Sequence, residues 1–255
     1  MAIFHRHKKN STDTMENGVK LITAIHPKSI ISEQFRTIRT NINFMAIDKA
    51  IKTLAFTSAN VSEGKSTVTD NIAVVFAQSG RRVLLVDADL RRPTLSKSFK
   101  TDGRQGLTTV LTSHEQSVDI SKIIKPSGIE NLDLLPSGPI PPNPAELLAS
   151  KRMEAFLKAA RENYDLVILD VPPMLEVTDT QVISHNLDAV VLVIRRGETQ
   201  KMAARRSVEL LKLAHANLLG YVMNDADGNG DAGYGYGYGY GYGYGYGYGY
   251  GEGDK

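Results

Sequence analysis

The fold turns on Ala59-Asn60-Val61-Ser62-Glu63-Gly64-Lys65-Ser66-Thr67, which follows an apolar run at 51–57 and opens an amphipathic one at 65–79. A Gly-Lys-Ser-Thr sequence between a strand and a helix suits phosphate, because loop N–H groups and the positive end of the helix converge there. Lys65 is placed to reach β- and γ-phosphates, the Ser66 hydroxyl to ligate Mg2+, and Gly64 to let the backbone come close. Asn60, Val61, Ser62, Glu63, Gly64, Lys65, Ser66 and Thr67 are the candidate nucleotide-binding residues, in a P-loop with Ala59 at its first glycine position.

Outward from this loop, short β-rich runs alternate with helical periodicity. Strands are predicted at 51–57, 82–87, 131–135, 165–170, 188–194 and 218–223. Helices are predicted near 65–79, 107–112, 144–162, 178–185 and 199–214. Uninterrupted apolar strands separated by helices indicate an α/β fold: a mostly parallel sheet flanked by helices on both faces, P-loop NTPase-like. Upstream, Ile31, Phe35, Ile38 and Ile42 recur at helical spacing, predicting a helix over 29–47 capped by Ser29 or Ser32. Three regions follow: a polar, irregular and flexible segment 1–28, a P-loop domain 29–225, and a tail 226–255.

Two further strands end in carboxylates. Val83-Leu84-Leu85-Val86-Asp87-Ala88-Asp89 and Leu166-Val167-Ile168-Leu169-Asp170 place acids at carboxyl edges, where ligands sit in such sheets. Alone, Asp87 or Asp89 reads equally well as a turn or capping residue. Together with Lys65 and Ser66, the three aspartates form the set that Mg·ATP needs, since Mg2+ takes one or two carboxylates plus waters and phosphate oxygens. Ser66, Asp87, Asp89 and Asp170 are therefore the candidate metal ligands.

Composition narrows the options. The 255 residues contain no cysteine, which excludes disulfides and thiolate chemistry, and the net charge of +2 gives no reason to expect nucleic acid. No apolar run approaches the ~20 residues of a membrane span, and basic Met1–Lys9 lacks the apolar core of a signal peptide. A cytoplasmic protein is expected. Gly233 to Gly251 is strict Gly-Tyr alternation: Tyr234, Tyr236, Tyr238, Tyr240, Tyr242, Tyr244, Tyr246, Tyr248 and Tyr250. With every second residue lacking a side chain, this tail offers nothing to pack and reads as disordered.

These features together resemble the bacterial tyrosine kinase family, the BY-kinases of capsule and exopolysaccharide systems. Residues 59–67 match its Walker A motif, Leu84–Arg91 its Walker A′, Val167–Asp170 its Walker B. Glu33-x-x-Arg36-x-x-Arg39 matches its oligomerisation motif, and the tail its tyrosine cluster. The chain departs from the family in carrying Val61-Ser62 where Pro-Gly is frequent, and in the regularity of its repeat.

The resemblance implies transfer of the γ-phosphoryl group of ATP, with Mg2+, to tyrosines 234–250, in trans. It implies Asp87 as the base that takes the phenol proton, alongside Lys65 and Asp89 in catalysis, with Asp87 and Asp89 interchangeable at this stage. It also implies a homo-oligomeric ring, an octamer, joined through Glu33, Arg36 and Arg39. Further partners implied are a separate transmembrane adaptor, which recruits the chain to the inner face of the membrane, and a cognate tyrosine phosphatase. By residue pattern alone Glu33 and Arg36 equally suit a local ion pair. A flexible tail of about 30 residues spans roughly 30 Å, enough to reach a neighbour. Two rivals share the P-loop: a ParA/MinD-like regulatory ATPase and a nucleotide-dependent scaffold. Against the first, its second lysine, five positions before Lys65, is replaced by Asn60.

Overall fold

The computed structural model describes residues 14–46, 50–113 and 120–224. The basic N-terminus and all nine tail tyrosines lie outside them. In chain order the elements are α1 (Thr14–Asn17), α2 (Ile22–Ile25), α3 (Ile30–Met45), β1 (Thr53–Ser58), α4 (Lys65–Ala77), β2 (Val83–Asp87), α5 (Leu95–Ser98) and α6 (Leu107–Thr112). A 3-10 turn at 120–122 leads to β3 (Lys125–Pro126), β4 (Leu132–Leu135), α7 (Pro144–Leu148), α8 (Lys151–Asn163), β5 (Leu166–Asp170), α9 (Asp179–Ser184), β6 (Ala189–Arg195), α10 (Lys201–Leu213) and β7 (Leu218–Asn224).

Seven strands form one sheet in the order β3-β4-β2-β5-β1-β6-β7. Every pairing is parallel except that of two-residue β3, an antiparallel edge ending in Pro126. Proline removes a ladder donor and is tolerated at such an edge. β1, β2 and β5 are buried throughout because helices cover both faces. Successive side chains alternate between two cores: Val83 and Leu85 face α3 and α4, whereas Leu84 and Val86 face α6 to α10. α4 is buried on almost every side, being wedged between the sheet and α3.

Four local readings differ from those of the sequence. Within 1–28, where an irregular segment is predicted, α1 and α2 form and dock: Thr23 is fully buried, its N–H and hydroxyl both donating to Asn71 Oδ1 at 3.0 and 2.9 Å. The predicted 144–162 helix is two helices. Ser150, extended at φ −77° and ψ 153°, accepts the Met153 N–H and starts α8 afresh, as serine prefers to do at an N-cap. α5 and β3, each of four residues or fewer, carry too little periodicity to be seen in advance. On α3, Phe35 and Ile42 are buried but Ile31 is half exposed; Ser32 turns inward instead, its hydroxyl donating to His26 O at 2.7 Å. Ser29 is the cap, accepting the Ser32 N–H.

Candidate active site

Parallel strands put all their carboxyl ends on one rim, and the site is built there. β2 and β5 are neighbours with Asp87 opposite Asp170, so register alone sets the two carboxylates side by side. β1 lies on the other flank of β5 and feeds the P-loop, whose helix α4 begins at Lys65 behind left-handed Gly64, φ 89°. A β-carbon on Gly64 would stand 2.0 Å from Asn224 Nδ2. Glycine is required there for space and for backbone conformation alike.

The lysine sits among acids. Lys65 Nζ lies 2.7 Å from Asp170 Oδ1 and 3.2 Å from Asp89 Oδ2, and all three side chains are buried. Ser66 Oγ donates to Asp170 Oδ2 at 2.5 Å, and Thr69 Oγ1 reaches Asp170 Oδ1 at 3.4 Å. Burial alone would push Lys65 down; the carboxylates of Asp170 and Asp89 outweigh it and hold the ammonium above its ordinary value, so it is charged at neutral pH. Burial pushes Asp170 up, against the pull of Lys65.

Asp87 differs from its neighbours. Its Oδ2 accepts the N–H groups of Thr94 and Leu95 at 2.9 and 3.0 Å, fixing the start of α5. Its Oδ1 is buried with no hydrogen-bond partner. Burial, then repulsion from Asp170, pushes this carboxyl up to about 8. An oriented carboxyl with one uncommitted oxygen and a raised pKa is a good proton acceptor in its ionised form, which becomes populated as pH approaches 8.

Glu63 organises the loop in a way the motif pattern does not announce. Its buried carboxylate accepts the Ala59 N–H at 2.9 Å and Asn60 Nδ2 at 3.0 Å, pinning the loop to itself. Ser62 then adopts φ 64°, costly for a residue with a side chain. Glu63→Ala removes the acceptor for a buried N–H. It is expected to lower stability by ~1–3 kcal/mol and to weaken nucleotide binding, checked by thermal melting and titration with a fluorescent ATP analogue.

Other participants were equally silent in the sequence. Asp70, on α4, is buried, has an oxygen without a partner, and is pushed well up by burial and by Asp170. Asn71 accepts from Thr23 and donates to Lys20 O and Thr67 O, tying α2 to the first turn of α4. Asp179, fully buried, receives a two-pronged bond from Arg91 at 2.9 and 3.0 Å. Asn224, the end of β7, donates to Glu63 O at 3.2 Å. Only spatial pairing reveals these roles.

Glu33, Arg36 and Arg39 lie away from this rim. Glu33 pairs with Arg36, which also donates to Pro27 O at 2.6 Å, while Arg39 donates to Val75 O on α4 at 2.7 Å.

Fold and site together define a P-loop nucleotide-binding protein. Residues 51–212 match the family model described as an AAA domain. The chain is 46% identical over 217 residues to tyrosine-protein kinase YwqD of Bacillus subtilis, covering 85% of this chain and 90% of that one. Among solved structures, the chimerical protein CapA2B2 is 39% identical with a TM-score of 0.76, covering 82% of this chain and 92% of that one. The kinase domain of Escherichia coli tyrosine kinase ETK is 33% identical with a TM-score of 0.78, covering 86% and 84%. The chain belongs to the bacterial tyrosine-protein kinase family.

Among the described residues no three His, Cys, Asp or Glu side chains form a metal cage by themselves. Mg2+ does not need one, because phosphate oxygens and water complete its shell. Ser66 Oγ, the two oxygens of Asp170 and Asp89 Oδ2 are hard oxygen donors at one place, and they fit it, which leaves the orphaned Asp87 Oδ1 uncommitted.

Proposed function

We propose that the chain is an ATP-dependent autokinase whose acceptors are Tyr234 to Tyr250 of its own tail, reached in trans. The observation that carries this reading is the buried Lys65–Asp89–Asp170 cluster beside Asp87, whose second oxygen is uncommitted. The P-loop N–H groups bind the phosphates, and Lys65 stabilises charge on the β–γ bridge and γ-oxygens. Asp87 Oδ1 takes the phenol proton as the tyrosine oxygen bonds to the γ-phosphorus and ADP leaves. Ser66, Asp89 and Asp170 would hold Mg2+, which neutralises phosphate charge when bound. With Asp89 already ion-paired to Lys65 and Asp87 free at one oxygen, Asp87 is the better base of the two.

The family resemblance extends the proposal to a ring, an octamer, formed through Glu33, Arg36 and Arg39. It extends also to a separate membrane-spanning adaptor that holds the chain at the cytoplasmic face, a phosphatase that resets the tail, and control of capsule or exopolysaccharide synthesis. No described helix is long and apolar enough to cross a membrane. Nine phosphotyrosines add about −14 to −18 charges, from ~−1.5 to −2 each. Rings of modified tails are expected to loosen by repulsion.

The test is incubation with ATP and Mg2+, with and without a cytoplasmic adaptor fragment, followed by mapping of phosphotyrosine. Label on 234–250 is expected. For the trans route, a Lys65→Met chain with its tail is mixed with an unsubstituted chain ending at Asn224, and the label should appear on the former. ATP turnover without label in either arm would leave a nucleotide switch, not a kinase.

A further inference from the structure

β7 delivers the chain to the site's own doorstep. Asn224 pairs with Arg195 in the β6–β7 register, its carbonyl accepts the Arg196 N–H at 2.9 Å, and its side chain touches Glu63 of the P-loop. The 31 residues from 225 onward therefore start between the phosphate loop and the turn from β6 into α10. That turn is tight, with Glu198 and Thr199 N–H groups both donating to Arg195 O, so α10 begins close to the exit point.

The surface there carries more basic than acidic side chains, with Glu198 in the turn set against Arg195, Lys201 and Arg205. Arg195 leans over the loop, donating to Ser62 O at 3.4 Å. Lys201 and Arg205 follow one helical turn apart on one face of α10, both exposed, and neither makes an ion pair among the described residues. The first turn of α10 contains no acid, and Gln200 supplies no side-chain cap, so the positive helix end adds to the field. Arg206, the next residue on α10, is instead paired with Glu209. The segment leaving Asn224 has the opposite sign. Residues 225–255 hold five acids against one lysine, before any phosphate is added.

We infer that Arg195, Lys201 and Arg205 form a docking surface for the phosphorylated Gly-Tyr repeat of this chain or of a second copy. The inference rests on the reading of the tail tyrosines as acceptors. Phosphate supplies the strong anionic oxygens that a guanidinium and an ammonium recognise, and the neutral repeat lacks them. A modified tail held there lies beside the loop that must take up the next ATP, so the surface retains product.

The probe is a fluorescent peptide of the 233–251 sequence, either with four phosphotyrosines or with none. It is titrated by anisotropy against the full-length, phosphatase-treated chain without nucleotide. The phosphopeptide is expected to bind at least about tenfold more tightly and to weaken as salt is raised. A Lys201→Glu/Arg205→Glu double variant should lose about tenfold in that affinity. A Lys151→Glu/Lys158→Glu variant, with the same charge change on α8 near the opposite edge of the sheet, should not. ATP-analogue binding by both variants reports that they fold. Equal affinity for the two peptides, no loss in the first variant, or the same loss in both overturns the inference. So does binding of phosphatidylglycerol vesicles without binding of the phosphopeptide, which would make this a membrane-facing patch. No arm uses phosphoryl transfer, so failure here leaves the kinase reading standing, and failure of the autophosphorylation assay leaves this result intact.

Discussion

Asp87→Asn is expected to abolish tail labelling while making the protein more stable above about pH 8. The activity loss should be about 10²–10⁴-fold, the range for removing a general base, with nucleotide affinity nearly unchanged. The stability gain follows from linkage. Asp87 is held at about 8 in the folded chain by burial and by Asp170, against an ordinary aspartate value of 3.8. Between those values the folded chain keeps a proton that the unfolded chain has released. The stabilising contribution of this group is complete at acid pH and is lost as pH rises through about 8. Asparagine removes that slope. It still accepts the Thr94 and Leu95 N–H groups through its carbonyl, and it puts an N–H₂ where the orphaned oxygen faced other carboxylates. Melting temperature against pH, measured beside the labelling rate, checks both halves. A variant that melts no later than the parent at pH 9 would remove the burial argument, and one that still labels its tail would remove the base assignment.

Lys65→Met should do the reverse. It removes the one cation facing Asp89 and Asp170 within the buried cluster, leaving those carboxylates uncompensated. Breaking a buried pair from one side costs ~3–5 kcal/mol. The raised pKa of Lys65 means its contribution is fully present at neutral pH and disappears only in strong alkali. The deficit should therefore be large at pH 8 and shrink towards acid pH, where Asp170, already pushed up by burial, takes up a proton. Nucleotide binding should vanish throughout. Denaturant unfolding at pH 8 and at acid pH gives the comparison, and a deficit independent of pH would contradict the charge account. A neighbouring Asp170→Asn change should restore part of the stability but none of the binding.

Much of the central architecture can be read from the residues because its signals are local. A strand ending in Asp87, a strand ending in Asp170, and Gly64-Lys65-Ser66 between strand and helix each announce themselves over five to nine positions. The parallel sheet follows from their apolar character. What local patterns do not carry is pairing. Nothing in the string says that Asp87 and Asp170 share a register, or that Asp89 rather than Asp87 meets Lys65. Glu63 looks like filler inside a motif, yet it holds the loop closed. Asn71 and Thr23, 48 residues apart, are ordinary polar residues until they meet in the core. The docking of 14–25 was obscured for the same reason: short helices owe their stability to packing rather than to propensity.

The contact between Asn224 and the phosphate loop fixes where this chain can be shortened. Its carboxamide fills the hollow above Gly64, and its main chain holds the last rung of the ladder beside Arg195 and Arg196. A stop codon just past that asparagine keeps the P-loop, its lysine and aspartates, and this contact in place. Moving the stop upstream by a few codons unroofs the cradle, so a tail-less control made too short would mimic a dead enzyme and mislead whoever relied on it.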